Sequence, residues 1–409
     1  MLSYSGVKHL ILPACLILGS TMAWAKLSPL APAPDWSKLN VFQETITAKE
    51  FTDLLNNVYA PNGAWKDTIT IYDDSALIKT RPGQAPYLLR FAPSRAAAKP
   101  VSTYWRKAKE IPMVPDKPLA GLKIAIDPGH IGGSWAKMEE RWFQIGNSKP
   151  VTEGDMTLKV AKMVAPRLEA LGAEVFLTRS RNWPVTSQRP DKLEDAATAS
   201  LADKNTPTTP EAIQDETERL FYRASEIRRR SRLVNENIRP DIVLCLHFNA
   251  EAWGDEKDPR LVDENHLHFL ITGALSASEL EYDDQRYDML VKLLNRSFGE
   301  ELALTNTLAR SMAKETGLPP YFYRQSNAIK VNDNSYIWAR NLLANRLFAC
   351  PTVYFEPYVM NSKLVFARIQ GGDYSGTRNF GGAMRKSIYR EYADGIVSGL
   401  LAYYSARSL

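Results

Sequence analysis

Two kinds of apolar pattern alternate through the middle of the chain. Short β-branched runs, "LKIAID" (122–127), "AEVFLT" (173–178) and "DIVLCLHF" (241–248), read as buried strands. Between the first two, residues 153–171 place Met156, Val160, Met163, Val164, Leu168 and Leu171 on one helical face, closed by Gly172. A long helix is expected over about 212–237, a further strand at "CPTVYFE" (350–356) and an amphipathic closing helix over 379–404. Strand–helix alternation predicts an α/β fold, a three-layer sheet with helices on both faces, whose working residues sit beyond the carboxyl ends of the strands. Two stretches break the rhythm. Residues 182–214 are polar and proline-spotted, a surface excursion. Residues 251–345 read as two helix-like stretches around a polar middle, longer than a plain connection needs, and suggest a lid or regulatory insert.

The first 120 residues are patterned differently. Lys8, an apolar run over 10–22 and Ala23-Trp24-Ala25 have the form of a secretory signal peptide, residues 1–25. The run falls short of the roughly 20 residues of a membrane span, so the mature chain is expected to lack one. Lipid attachment at Cys15 in "LPAC" is a weaker alternative, since Pro13 suits it poorly and the run continues past the cysteine. Residues 26–40, with "PLAPAPDW", form an extended arm. Residues 41–92 form a small α+β module: "TAKE" (47–50) has capping-box spacing, and "DTITIYDDSALIKT" and "YLLRFA" read as strands. Residues 93–120 are a linker, and 121–409 one large domain with insertions at about 182–214 and 251–345.

Charge and cysteine content narrow the setting. Loss of Lys8, the one charged residue of the leader, would lower the formal charge from +5 to +4, a modest excess that suits an acidic polymer such as cell wall. Only Cys245 and Cys350 would remain, both in apolar runs, and two cysteines make no disulfide framework. Arg228, Arg229, Arg230 and Arg232 read as a solvated helix face, with glycan contact second. Nucleic acid is excluded as partner, because the chain is read as exported and no nucleic-acid motif accompanies the charge.

Four histidines follow the leader, and two end predicted strands: His130 after "IAID" and His247 in "VLCLHFN". Glu153 opens the helix after the first strand. Imidazole, imidazole and carboxylate make a three-ligand zinc site with the fourth position open, as a catalytic zinc requires. His266 and His268 in "NHLHF" could bind metal on one strand face, but lie in the insertion. No H-E-x-x-H occurs. Glu356, ending an apolar strand, reads as a general base. Asp127 reads either as a turn-former before Pro128 or as a hydrogen-bond partner of backbone or a ligand imidazole, and Asn249 as a substrate contact.

Together these stretches resemble the zinc-dependent N-acetylmuramoyl-L-alanine amidases of the amidase-3 type. "IDPGH" with "GG" after it, "TEGDMTLKVA", "LTR", "HFNA" and "VYFEPYVMN" stand in that family's order over about residues 121–404. The resemblance implies zinc on His130, Glu153 and His247, Glu356 as catalytic carboxylate, and hydrolysis of the amide between the lactyl group of N-acetylmuramic acid and L-alanine. Peptidoglycan is the implied partner, with a protein activator or regulator a further one, in the periplasm or outside the cell. Three features depart from the pattern: Ile131 before the two glycines, the long excursion before the second histidine, and Tyr358 where the family usually has glycine. Glu139 and Glu140, in the loop after His130, are rivals to Glu153 as acidic ligand. The departures keep two alternatives in view, a wall-binding protein that retains the fold without turnover and a zinc hydrolase of another amide or peptide.

Overall fold

A computed structural model describes residues 26–81, 83–255 and 258–406; the leader, with Cys15, lies outside them. The helix Ala48–Leu54 opens with a two-sided capping box between Thr47 and Glu50. The strands Ile69–Ile71, Ser75–Ile78 and Tyr87–Arg90 form an antiparallel sheet beside it. Phe51, Leu55, Ile78 and Leu89 of this module share one core with Leu280, Met289, Leu290 and Leu293. The amides of Ala274 and Leu275 donate to the carbonyls of Val58 and Tyr59, both at 2.8 Å.

The main sheet has seven strands: β1 (Lys123–Pro128), β2 (Glu174–Leu177), β3 (Ile242–Leu246), β4 (Leu267–Thr272), β5 (Ile329–Lys330), β6 (Ile337–Arg340) and β7 (Thr352–Pro357). Their order is β5-β6-β4-β7-β3-β1-β2. β2, β1, β3 and β7 run parallel, β4 runs against β7, and β6 runs parallel to β4. Side-chain alternation along the strands splits the core in two. Ile124, Ile126, Leu244, Leu246, Val353 and Phe355 pack under helices α1 (Glu153–Ala170), α4 (Ser297–Thr316) and α5 (Ile388–Ser405). Ala125, Val243, Cys245, Leu270 and Tyr354 face Val234 and Ile238 on the other side. That second layer is a long helix running from α2 (Pro210–Leu220) through α3 (Glu226–Arg232) to Ile238, with wider turns between. The expected α/β architecture with helices on both faces is what forms. Cys245 and Cys350 are buried and free, and no helix among the described residues is long and apolar enough to cross a membrane.

The segment 251–345 differs most from its sequence reading. Besides helices it supplies β4, β5 and β6, three of the seven strands, and Leu304, Leu308 and Met312 of its helix α4 pack with Ile396 and Leu400 of α5. Two of these strands are only two and four residues long, too short to register as a periodic run. The closing helix begins at Ile388, not 379, because residues 378–385 form a hairpin. The excursion 182–214 is not wholly surface: it holds the helix Glu194–Asp203, and Leu193 and Ala197 pack with Leu220, Phe221 and Ile131.

Candidate active site

β1 delivers the chain to Gly129 and His130 at the edge of the sheet. His130 adopts left-handed backbone, φ 59°, which a residue with a Cβ rarely takes without support. Here the support is two buried guanidiniums. Arg179 and Arg230 both donate to the Pro128 carbonyl, at 3.0 and 2.8 Å. Arg179 also binds the carbonyl of Gly129 at 3.0 Å, and Arg230 that of His130 at 2.7 Å. On the far side of the turn, the Glu139 carboxylate accepts from the amides of Ile131 and Gly132, at 2.8 and 3.0 Å. Gly129 must lack a side chain, since a Cβ there would lie 2.2 Å from the His247 ring.

Glu153 opens α1 and is 2% exposed. Its Oε2 lies 3.1 Å from His130 Nε2 and its Oε1 3.0 Å from His247 Nδ1. The same Oε1 accepts from the Phe248 amide at 3.1 Å, and Arg141 Nε stands 3.3 Å from Oε2. The two imidazoles cross at 82° with centroids 5.1 Å apart. His247 stacks on Tyr354 at 4.3 Å, and its carbonyl accepts from the Tyr392 hydroxyl at 3.2 Å. One ligand atom from each of His130, Glu153 and His247 falls within 4.8 Å of the others. This donor set suits a divalent ion of the zinc type.

The electrostatics of the metal-free site treat the two imidazoles differently. Burial lowers the His247 pKa and outweighs the attraction of Glu153, favouring the neutral imidazole that a metal needs. Burial also opposes charge on His130, but the Glu153 and Glu139 carboxylates prevail and raise it to about 9. Glu153 stays well below the usual carboxylate range despite its burial, because both imidazoles face it. Glu356 goes the other way, pushed up to about 8 by burial and by the Glu153 charge. The surroundings thus shift the two carboxyls in opposite directions.

His130, Glu153, His247, Asn249 and Glu356 all line one cleft of about 760 Å³. Four other groups named in the sequence reading also find their places. Asp127 touches neither backbone nor an imidazole: it accepts from the Thr178 hydroxyl and from Arg230 Nη1 at 3.2 Å. The arginine run is a solvated face only in part: Arg232 is exposed and Arg229 half-buried. Arg228 and Arg230 are 6% and 3% exposed, and Arg230 also pairs with Glu226 at 2.8 Å. His266 and His268 belong to no group of three or more metal-ligating side chains among the described residues; their ring centroids are 6.0 Å apart, and Tyr321 packs against both, at 4.5 and 5.0 Å. Of the rival acids, Glu139 caps the turn and Glu140 pairs outward with Arg223 at 2.8 Å.

Sequence reasoning missed Arg179 and Arg230 as supports of the histidine turn. No local signal was available: Glu226 and Arg230 stand four apart on a helix, a spacing that exposed pairs such as Lys49 and Asp53 share. The departures also acquire reasons. Ile131 is fully buried against the excursion, so the two are one packing unit. Tyr358 takes the left-handed φ of 60° that glycine takes more readily, held there by its hydroxyl on Glu391 at 2.8 Å.

A family model described as N-acetylmuramoyl-L-alanine amidase matches residues 124–375. No curated protein matches the chain. Among solved structures, the chain is similar to the N-acetylmuramyl-L-alanine amidase Ami1 from Mycobacterium smegmatis, with 15% identity over 70% of this chain and 99% of that one, at a TM-score of 0.38. It is also similar to the catalytic domain of CwlV, an N-acetylmuramoyl-L-alanine amidase from Bacillus (Paenibacillus) polymyxa, with 16% identity over 69% and 98%, at a TM-score of 0.38. A third is the N-acetylmuramoyl-L-alanine amidase from Clostridium difficile 630, with 15% identity over 70% and 98%, at a TM-score of 0.35.

Proposed function

The chain belongs to the N-acetylmuramoyl-L-alanine amidase family, and from that premise we propose that His130, Glu153 and His247 hold a zinc ion and that Glu356 is the catalytic carboxylate of a peptidoglycan hydrolase. One observation carries the reading: a buried carboxylate stands between two imidazoles brought from residues 130 and 247, at 3.1 and 3.0 Å, in a cleft that also contains Glu356. Zinc bound there would acidify a water and polarise the scissile carbonyl.

The chain's own residues do the rest. Arg179, Arg230 and Glu139 hold His130 in a turn it would not keep alone. Burial keeps His247 neutral, and Tyr354 fixes its ring. Glu356 reaches its carboxylate form when positive charge faces it, takes the proton of the attacking water and delivers it to the leaving amine of L-alanine. Asn249 lines the cleft wall and would contact substrate from there.

Purified sacculi incubated with the zinc-loaded protein should release stem peptides. Glu356→Gln should abolish release while zinc content is kept, and His130→Ala or His247→Ala should lose both. Unchanged release by Glu356→Gln would overturn the assignment of the base. Stem-peptide release, read by mass spectrometry, also separates this reading from a non-catalytic wall binder and from a hydrolase of another amide. A wall substrate requires an exported enzyme, which the leader at 1–25 would provide. Amino-terminal sequencing of the secreted protein should then begin at Lys26.

A further inference from the structure

Four arginines reach the active-site cleft, and three of them are neutralised. Arg141 faces Glu153 at 3.3 Å, Arg223 faces Glu140 at 2.8 Å, and Arg230 is shared between Glu226 and Asp127. Arg340, at the end of β6, is different. It is half-buried, and among the described residues no carboxylate lies within ion-pair distance of it. Its side chain donates to the Tyr323 hydroxyl at 3.4 Å and its guanidinium lies 5.6 Å from that ring's centroid. Tyr323 is itself braced, with its ring 5.3 Å from Trp338 and its hydroxyl 3.0 Å from His268 Nε2. Of the other acids of the cleft wall, Glu356 feels the Arg340 charge from a distance, Glu251 lies 3.3 Å from His266 Nε2, and Glu139 caps the histidine turn.

A planar cation held over an aromatic ring, partly stripped of water and without an ion-pair partner, is organised in advance to receive a carboxylate. We propose that Arg340 is a specificity-determining residue that binds a free carboxylate of the peptide beyond the cleaved alanine, so that acidic stem peptides are preferred to their amidated forms. The inference rests on the amidase reading for the identity of the peptide. The competing role for Arg340 is electrostatic support of Glu356, on the same cleft.

The test compares N-acetylmuramoyl peptides carrying either a free carboxylate or a carboxamide beyond alanine, with zinc-loaded wild type, Arg340→Met and Arg340→Lys. Arg340→Met should lower kcat/KM on the acidic peptide about 10- to 100-fold, mostly through KM, and on the amidated peptide less than about threefold. Arg340→Lys should recover part of the loss. Equal losses on both peptides, or a displaced acid limb of the kcat profile, would overturn the proposal in favour of support for Glu356. Should Arg340→Met fail to fold, the acid-over-amide preference of wild type and its reduction in Arg340→Lys carry the same decision. Calorimetric binding of the two peptides to Glu356→Gln needs no turnover. Tighter binding of the acid there, beside a wild type inert on sacculi, would remove the amidase reading and leave the carboxylate site standing. Equal binding of acid and amide would sink the site.

Discussion

Arg230 donates from Nη2 to the carbonyl oxygen of His130 at 2.7 Å, joining residues one hundred positions apart. The bond matters because His130 sits in left-handed backbone, and Arg230 is held for the task by Glu226 and Asp127. Arg230→Met should therefore weaken zinc binding about 10- to 100-fold. Competition with a chelator of known affinity measures this, and near-wild-type affinity would refute the supporting role.

Gly129→Ala tests the closeness of the two imidazoles. A methyl 2.2 Å from the His247 ring cannot be accommodated without moving that ring. Activity should fall by roughly 100-fold or more, the scale of a misplaced catalytic group, while circular dichroism stays native.

For Glu356 the sign of the pH dependence follows from its raised carboxyl, about 8 in the folded metal-free protein against an ordinary glutamate value of 4.5. Between these values the folded state binds more protons than the unfolded one, so this group's contribution to stability falls as pH rises from about 4.5 to about 8. Glu356→Gln should gain on wild type over that window, on the order of 1–2 °C in Tm per pH unit, in chelator-treated protein. A Tm difference independent of pH would contradict the raised value.

Tyr358 gives a two-variant test. Tyr358→Phe removes the hydroxyl from buried Glu391, which keeps Arg368 at 2.9 Å, and should cost about 1–3 kcal/mol. Tyr358→Gly relieves the positive φ but empties a fully buried aromatic site, so the loss should be larger, about 3–5 kcal/mol. Urea unfolding of both variants orders the two effects.

Deleting about residues 275–320 should abolish soluble folding. The segment contains α4, and its Leu280, Met289 and Leu290 complete the core under the amino-terminal module. Recovery of a folded, active deletion protein would show the segment to be an accessory lid after all.

Much of this was legible in one dimension. Local patterns declare the elements that build β1, α1, β3 and β7, because a buried parallel strand must be apolar throughout and a packed helix must repeat its apolar face. Since such sheets carry their chemistry at strand ends, His130, His247 and Glu356 could be selected from the ends of those runs, and Glu153 from the start of α1. Tertiary structure alone decided what holds these groups. Arg230 looks like a surface charge in sequence, and β4 and β6 look like irregular insertion, because the carbonyls that Arg230 supports and the strands with which β4 and β6 pair lie far along the chain. Burial of a guanidinium and pairing of a short strand are properties of that distant partner, and no local window contains it.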